Sequence, residues 1–202
     1  MTRILMVLTS VARLGLIDGV DHPSGFWAEE FVVPYELFSA AGWQVDVTSP
    51  GGQPPTPDRG SLDPGVVGAT RPAGAATDVE ALAADVAHYA DVIATAKVLR
   101  EPLDAGRMGA GAVAGYDGVF LSGGHGAIDD LSHDRGVTRL MRRVLALETP
   151  LAAVCHGGAA LLPLRDGHGH WPLAGYRLTA FSHEEELVTD MAGRLPFVGS
   201  RK

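Results

Sequence analysis

Pro150-Leu151-Ala152-Ala153-Val154-Cys155-His156-Gly157-Gly158-Ala159-Ala160-Leu161-Leu162 is the stretch that decides the fold. It opens on an apolar run after a proline and closes on small and apolar residues suited to a helix. The single cysteine of the chain stands at the join. A continuous apolar run reads as a buried parallel strand, and a helix usually follows such a strand. A nucleophile at that turn is pushed out beyond the sheet, as in a strained strand-to-helix elbow. Gly157 and Gly158 leave room for the tight turn and for close helix packing. Backbone N–H groups at the helix N-terminus would face the sulfur and favour thiolate. Free cysteine is also among the most buried residue types, so Cys155 alone reads equally well as a structural residue ending a core strand. His156 moves the balance, because a histidine between that cysteine and two glycines has little packing reason to be there. Cys155 is therefore a nucleophile candidate.

Outward from this stretch, the composition is that of an ordinary globular protein: 202 residues, 46% hydrophobic and 20% charged. The length suits a single domain over residues 1–202, with a core that needs no disulfide or metal. A net charge of −8 argues against nucleic acid or an anionic membrane as the main partner, while leaving room for a local basic patch. One cysteine allows no intramolecular disulfide and no cysteine-based zinc cluster, which fits a reducing, cytoplasmic setting. Ile4–Leu8 after Arg3 is too short for a signal sequence, and no stretch approaches the apolar length of a membrane span.

Taken in order, Arg3–Thr9 reads as the first strand and Ser10–Gly25 as a loop. Phe26–Phe38 reads as a helix with Phe31, Pro34, Tyr35 and Phe38 on one face, loosened or kinked at Pro34 and capped by Gly42. Trp43–Ser49 alternates as strand two. Pro50–Gly74 is an irregular excursion rich in Pro and Gly. Thr77–Val98 carries a helical pattern, with Thr77 as N-cap and Asp78 in the first turn. Gly118–Leu121 is a strand that ends in Ser122-Gly123-Gly124-His125-Gly126, and Val137–Leu147 is an amphipathic helix. After the elbow strand Leu151–Val154 come a final short strand, Tyr176–Phe181, and a helix over Ser182–Gly193 with Glu184, Glu185 and Glu186 near its start. Strands alternating with helices predict an α/β sandwich around a central, mainly parallel sheet.

Several segments together resemble the ThiJ/PfpI superfamily, which shares a flavodoxin-like α/β/α sandwich with class I glutamine amidotransferases. The nearest branch is that of glutathione-independent glyoxalase III and the heat-shock-protein-31-like chaperones. The resemblance rests on Gly25-Phe26-Trp27-Ala28-Glu29-Glu30 before Pro34-Tyr35, on Ser49-Pro50-Gly51-Gly52 with Pro57-Asp58 and Ser61-Leu62-Asp63, and on Tyr116-Asp117-Gly118. It continues through Gly123-Gly124-His125-Gly126, Val154-Cys155-His156-Gly157 and Leu178-Thr179-Ala180-Phe181-Ser182 before Glu185-Glu186, running in order from Met1 to about Phe197. The resemblance implies that Cys155 is the nucleophile, His156 its histidine partner and Glu30 a carboxyl reaching the sulfur from the first helix. It places Glu186 as the acidic residue that orients His156, with Glu185 taking that place if the matching slips by one. The backbone N–H groups of Gly124 and His156 would form an oxyanion site. It also implies a homodimer. Relatives commonly carry proline where Gly158 stands, and continue past Leu195-Pro196-Phe197 with a further strand and helix, so the chain reads as short at its C-terminus.

A thiolate nucleophile needs its pKa held down, a task for His156 and the helix N-terminus. An ionised Glu30 beside a thiolate would raise both pKa values, so Glu30 is expected to be protonated at rest or to act as a proton shuttle within a coupled pair. These residues suit an α-oxoaldehyde such as methylglyoxal, converted to a 2-hydroxy acid through a cysteine hemithioacetal without metal, nucleotide or glutathione. Deglycase activity belongs to the same reading. Two alternatives stay open: a cysteine amidase or peptidase, and a non-catalytic stress chaperone or redox sensor. Loops Asp18–Gly25 and His168–Trp171 are expected to set substrate size. His125 reads as a turn or wall residue, His168, His170 and His183 as solvent-facing rather than a metal site, and Ser122–His125 lacks the lysine and spacing of a phosphate loop.

Overall fold

The computed structural model of the chain describes residues 1–71, 78–189 and 191–196. Thr77 and Phe197, named above, lie outside the described residues. The first half runs β1 (Arg3–Val7), β2 (Arg13–Gly15), β3 (Asp21–Pro23), α1 (Ala28–Ala40), β4 (Gln44–Ser49), α2 (Pro64–Ala69), α3 (Val79–Thr95) and α4 (Lys97–Arg100). The second half runs β5 (Leu103–Asp104), α5 (Ala110–Val113), β6 (Gly118–Leu121), α6 (Gly126–Asp129), α7 (Arg135–Ala146), β7 (Leu151–Ala153) and α8 (His183–Glu186).

β1 organises the molecule. Its alternate residues feed two separate cores, as a strand buried on both faces must. Leu5 and Val7 pack with Val119, Leu121 and the apolar face of α7, which presents Val137, Leu140, Met141 and Val144. Ile4 and Met6, with Leu8 beyond the strand, pack with Phe31 and Val32 of α1 and Tyr89 of α3. The five strands are parallel in the order β5-β4-β1-β6-β7, with the direction of winding reversing between β1 and β6. Helices therefore cover both faces, and the crevice at the carboxyl ends of β1 and β6 is the ligand position of a doubly wound sheet. The α/β/α sandwich is as expected.

Four local features depart from the sequence reading. The loop before α1 contains the β2–β3 hairpin, closed by an Arg13–Asp21 ion pair and packed through Leu14 and Leu16 onto Met191 and Leu195. Helix α1 runs unbroken through Pro34, which only removes the N–H that would have met the Glu30 carbonyl. Asp78 is the N-cap of α3, its side chain accepting from the N–H groups of Glu80 and Ala81. Tyr176–Phe181 forms no strand. It runs exposed beside the elbow and is tied to it by one backbone bond, from Phe181 N–H to the Cys155 carbonyl at 3.2 Å. An edge strand of three residues, β7, offers too short a ladder to order a neighbour.

Candidate active site

Three chain segments meet at the carboxyl end of the sheet, beside the first turn of α1. The apolar run of β7 ends at Val154, and Cys155 takes φ +50°, a left-handed conformation that residues with a Cβ rarely adopt. The strain turns the chain sharply and carries the sulfur out over the sheet. Gly157 makes the turn possible, since a Cβ there would stand 2.5 Å from the Leu121 carbonyl oxygen. At Gly158 a Cβ would meet only Ala180 at 3.8 Å, so that glycine is not required by space. From the elbow onward, Cys155–Leu164 is a 3₁₀ helix containing Pro163 rather than the expected α-helix.

The second segment is the loop after β6. Gly123 lies so close to the sulfur side that a Cβ would fall 2.5 Å from Glu30 Oε2 and 2.7 Å from the Cys155 Cβ. Its N–H donates to Glu30 Oε2 at 2.8 Å, which orients the carboxyl brought in by the first turn of α1. The backbone N–H groups of Gly124 and His156 favour negative charge on the Cys155 sulfur. The third segment is α8, a single turn closed by a capping box: Ser182 Oγ accepts from Glu185 N–H, and Glu185 Oε2 accepts from Ser182 N–H at 2.7 Å. That turn brings Glu186 inward.

The result is a relay. Cys155 Sγ lies 3.4 Å from His156 Nδ1, and His156 Nε2 lies 2.9 Å from Glu186 Oε2. Between the two acidic candidates, Glu186 faces the imidazole and Glu185, spent on its cap, stands at the cavity wall. Glu186 is 4% exposed and also accepts from Thr189 Oγ1 at 2.8 Å. Burial opposes its charge, but hydrogen bonds from His125 and His156 outweigh this and hold the carboxylate well below the usual range. Burial moves His156 the other way, toward the neutral imidazole, against the pull of Glu186.

Cys155 itself corrects an expectation. Burial, and then the charge of Glu30, push the Cys155 thiol well above its ordinary range, and the N–H groups of Gly124 and His156 only partly offset this. No favourable helix terminus makes a resting thiolate. Burial likewise pushes Glu30 up to about 7, with the thiol and the Gly123 N–H pulling it down. Cys155 and Glu30 face one another, and each shifts the other's affinity for its proton. With the thiol pushed well up and Glu30 at about 7, any charge the pair carries near neutrality rests on the carboxyl and not on sulfur.

His125 is a site residue that sequence reasoning missed. It is 9% exposed, donates from Nε2 to Glu186 Oε1 at 3.0 Å, and packs at a tilt against His156 with ring centroids 4.5 Å apart. The only signal for it in the sequence is its place directly after Gly123-Gly124. Nε2 of His125, Nε2 of His156 and the Glu186 carboxylate lie within 4.8 Å of one another, a donor set of the type that can hold a divalent ion. At 2.9 and 3.0 Å, the contacts are those of imidazole N–H groups donating to a carboxylate. His168 and His170 lie on an exposed turn with Asp166, apart from this cluster.

A cavity of about 900 Å³ opens over Cys155, walled by Trp27, Arg59, Val66, Phe181, Val188 and Met191. Of the two loops expected to frame it, the hairpin contributes His22 and Pro23. His168–Trp171 does not reach it, and Trp171 packs instead on the α7 side of the core, its indole N–H bonded to the Leu161 carbonyl at 2.9 Å. Among the described residues, no helix is long and apolar enough to cross a membrane.

The architecture has known counterparts. Glyoxalase III from Candida albicans superposes with a TM-score of 0.70 at 22% identity, over 95% of this chain and 73% of that one. The Rapid Encystment Protein of 24 kDa from Francisella tularensis superposes with a TM-score of 0.68 at 22% identity, over 98% and 77%. At these identities the likeness is one of fold. The protein/nucleic acid deglycase HchA of Escherichia coli is 35% identical over 81 residues, which are 40% of this chain. The chain matches only 28% of the length of that relative. The family described as ThiJ/PfpI family-like matches residues 22–168, a span that holds Glu30, the Gly123–Gly126 loop and the Cys155–His156 elbow. The chain belongs to that ThiJ/PfpI-like family.

Proposed function

We propose that the protein is a cofactor-independent enzyme of the glyoxalase III and deglycase type, converting an α-oxoaldehyde to a 2-hydroxy acid. The observation that carries this reading is the buried Cys155–Glu30 pair. A hydrolase needs a thiolate and a histidine acid. An enediol rearrangement must, in addition, move protons between adjacent carbons, and a carboxyl of near-neutral pKa beside the sulfur suits that task. Glu30, raised to about 7 by burial, has that property.

In this reading the aldehyde carbon of methylglyoxal approaches Sγ as the thiol proton passes to Glu30. The new alkoxide is met by the N–H groups of Gly124 and His156 and takes the proton back, giving the hemithioacetal. Glu30 or His156 then removes the C1 proton while the C2 carbonyl oxygen is protonated, forming the enediol. Reprotonation at C2, with loss of the C1 hydroxyl proton to the neighbouring base, gives a thioester of lactate. Water cleaves it, releasing lactate and restoring the Cys155 thiol. His156, kept neutral by burial and directed by Glu186, serves as the second base. The relative named as a deglycase acts, by that name, on proteins and nucleic acids. A cavity of about 900 Å³ far exceeds a three-carbon aldehyde, and this favours a second reading in which the aldehyde is released from a larger adduct.

The test is to incubate the purified protein with methylglyoxal and EDTA, without glutathione, and to assay lactate. Lactate is expected from the wild type and none from Cys155→Ser. Absence of lactate from the wild type would move the assignment to the hydrolase or chaperone reading.

A further inference from the structure

We propose that His125 is a positioning residue of this site: it grips one oxygen of Glu186 so that the other stays on His156. The inference rests on the roles proposed above for Cys155, His156 and Glu186. Its ground is that Glu186 is held at both oxygens by two imidazoles of the same kind, His125 Nε2 on Oε1 at 3.0 Å and His156 Nε2 on Oε2 at 2.9 Å.

A carboxylate only accepts, so both Nε2 atoms must carry protons. For His156 this leaves Nδ1 as a bare lone pair, and Nδ1 is the atom 3.4 Å from the Cys155 sulfur. The tautomer that leaves His156 Nδ1 free to accept a proton beside the sulfur is therefore set by Glu186. The terminal torsion of a glutamate is broad and roughly two-fold, so one donor alone fixes it poorly. Thr189 Oγ1 shares Oε1 with His125 but comes from the same turn as Glu186 and moves with it. His125 comes from elsewhere, the loop after β6 that also carries the Gly124 N–H. It thus ties the oxyanion loop to the carboxylate of α8. The charged and titratable groups facing it are Glu186 and His156, with Glu30 acting through space.

A buried imidazole that merely filled space would be replaceable by phenylalanine. A glutamine amide can reach the place of Nε2 and still donate. His125→Phe is expected to lower kcat for lactate formation about 10- to 100-fold with KM little changed, and His125→Gln to restore most of it. Nitrogen-15 chemical shifts of the histidine rings give a readout independent of turnover. The wild type should show His125 and His156 as Nε2–H tautomers, His125→Phe should lose that signature at His156, and His125→Gln should keep it. The proposal is overturned if the wild type shows either ring as the Nδ1–H tautomer, or if His125→Phe keeps both the rate and the His156 signature. It is equally overturned if Phe and Gln variants, both folded by near-ultraviolet circular dichroism, lose the rate and the signature alike. If the wild type makes no lactate, the assigned reaction fails, and the ring shifts alone decide the role of His125.

Discussion

The two halves of the candidate site are built by different means. The nucleophile half is pinned by the sheet: Cys155 leaves β7, Gly123 and Gly124 leave β6, and a Cβ added at either glycine would fall under 3 Å from its neighbours, which leaves no slack between them. The carboxylate half rides on α8, one turn held by a capping box, and beyond it on the Met191 and Leu195 contacts with the β2–β3 hairpin. Bonds from His125 and His156 to Glu186 join the two halves. The geometry at sulfur is thus a property of the core, whereas the orientation of the imidazole depends on a lightly attached surface segment.

The largest effect on that contrast should come from Glu186→Gln. An amide there cannot accept from both imidazoles with the strength of a carboxylate, and it permits the wrong His156 tautomer. Lactate formation should fall by about 10²-fold or more, measured as kcat with the fold intact. A loss no greater than two-fold would mean that the nucleophile half works alone.

Stability against pH probes the other half. Glu30 has its folded pKa raised to about 7 from an ordinary 4.5 by burial. The fold thus favours the protonated form, and this contribution is fully present below about pH 4.5 and lost as pH rises through 7. Glu30→Gln removes the dependence. The variant should be more stable than wild type by about 3 kcal/mol at pH 8, with the gap closing by pH 4 in denaturant titrations. Equal stability at both pH values would mean that the carboxyl is not buried as described.

The smallest effect is expected from Ser182→Ala, which removes the side-chain cap of α8 and none of the relay residues. Loss of such a cap costs about 1 kcal/mol. Because it acts on a local turn, it should appear as faster hydrogen exchange at residues 183–187 and a few-fold lower kcat, with global stability nearly unchanged. A global loss of the same size would show that α8 folds with the sheet and that the two halves do not differ in attachment.

The two halves also differ in how far they can be read from sequence. β1, β4, β6, β7, α1, α3 and α7 are legible because each carries a local hydrophobic period or an apolar run. Cys155 stands out because a Cys-His-Gly step at a strand end has few packing reasons. Glu30 and Glu186 are reached only through family resemblance, since a glutamate in a first helical turn looks like ordinary macrodipole compensation. Tyr176–Phe181 has β-forming residues but lacks a partner edge long enough to pair with, which is a tertiary fact. His125 reads as a wall residue because its partner lies 61 positions away. The low thiol pKa expected at the elbow fails for a similar reason: burial and Glu30 come from the assembled fold, and together they outweigh the local N–H groups.

The central claim is that Glu30 carries a proton during turnover rather than simply contacting sulfur. The direct measurement is the rate of lactate formation from methylglyoxal by Glu30→Gln against wild type at pH 7, without glutathione and in EDTA. Gln keeps the size and can still bond to sulfur and to the Gly123 N–H, but it cannot shuttle a proton. A fall of about 10²–10⁴-fold in the folded variant is predicted; lactate formed at the wild-type rate would contradict the account.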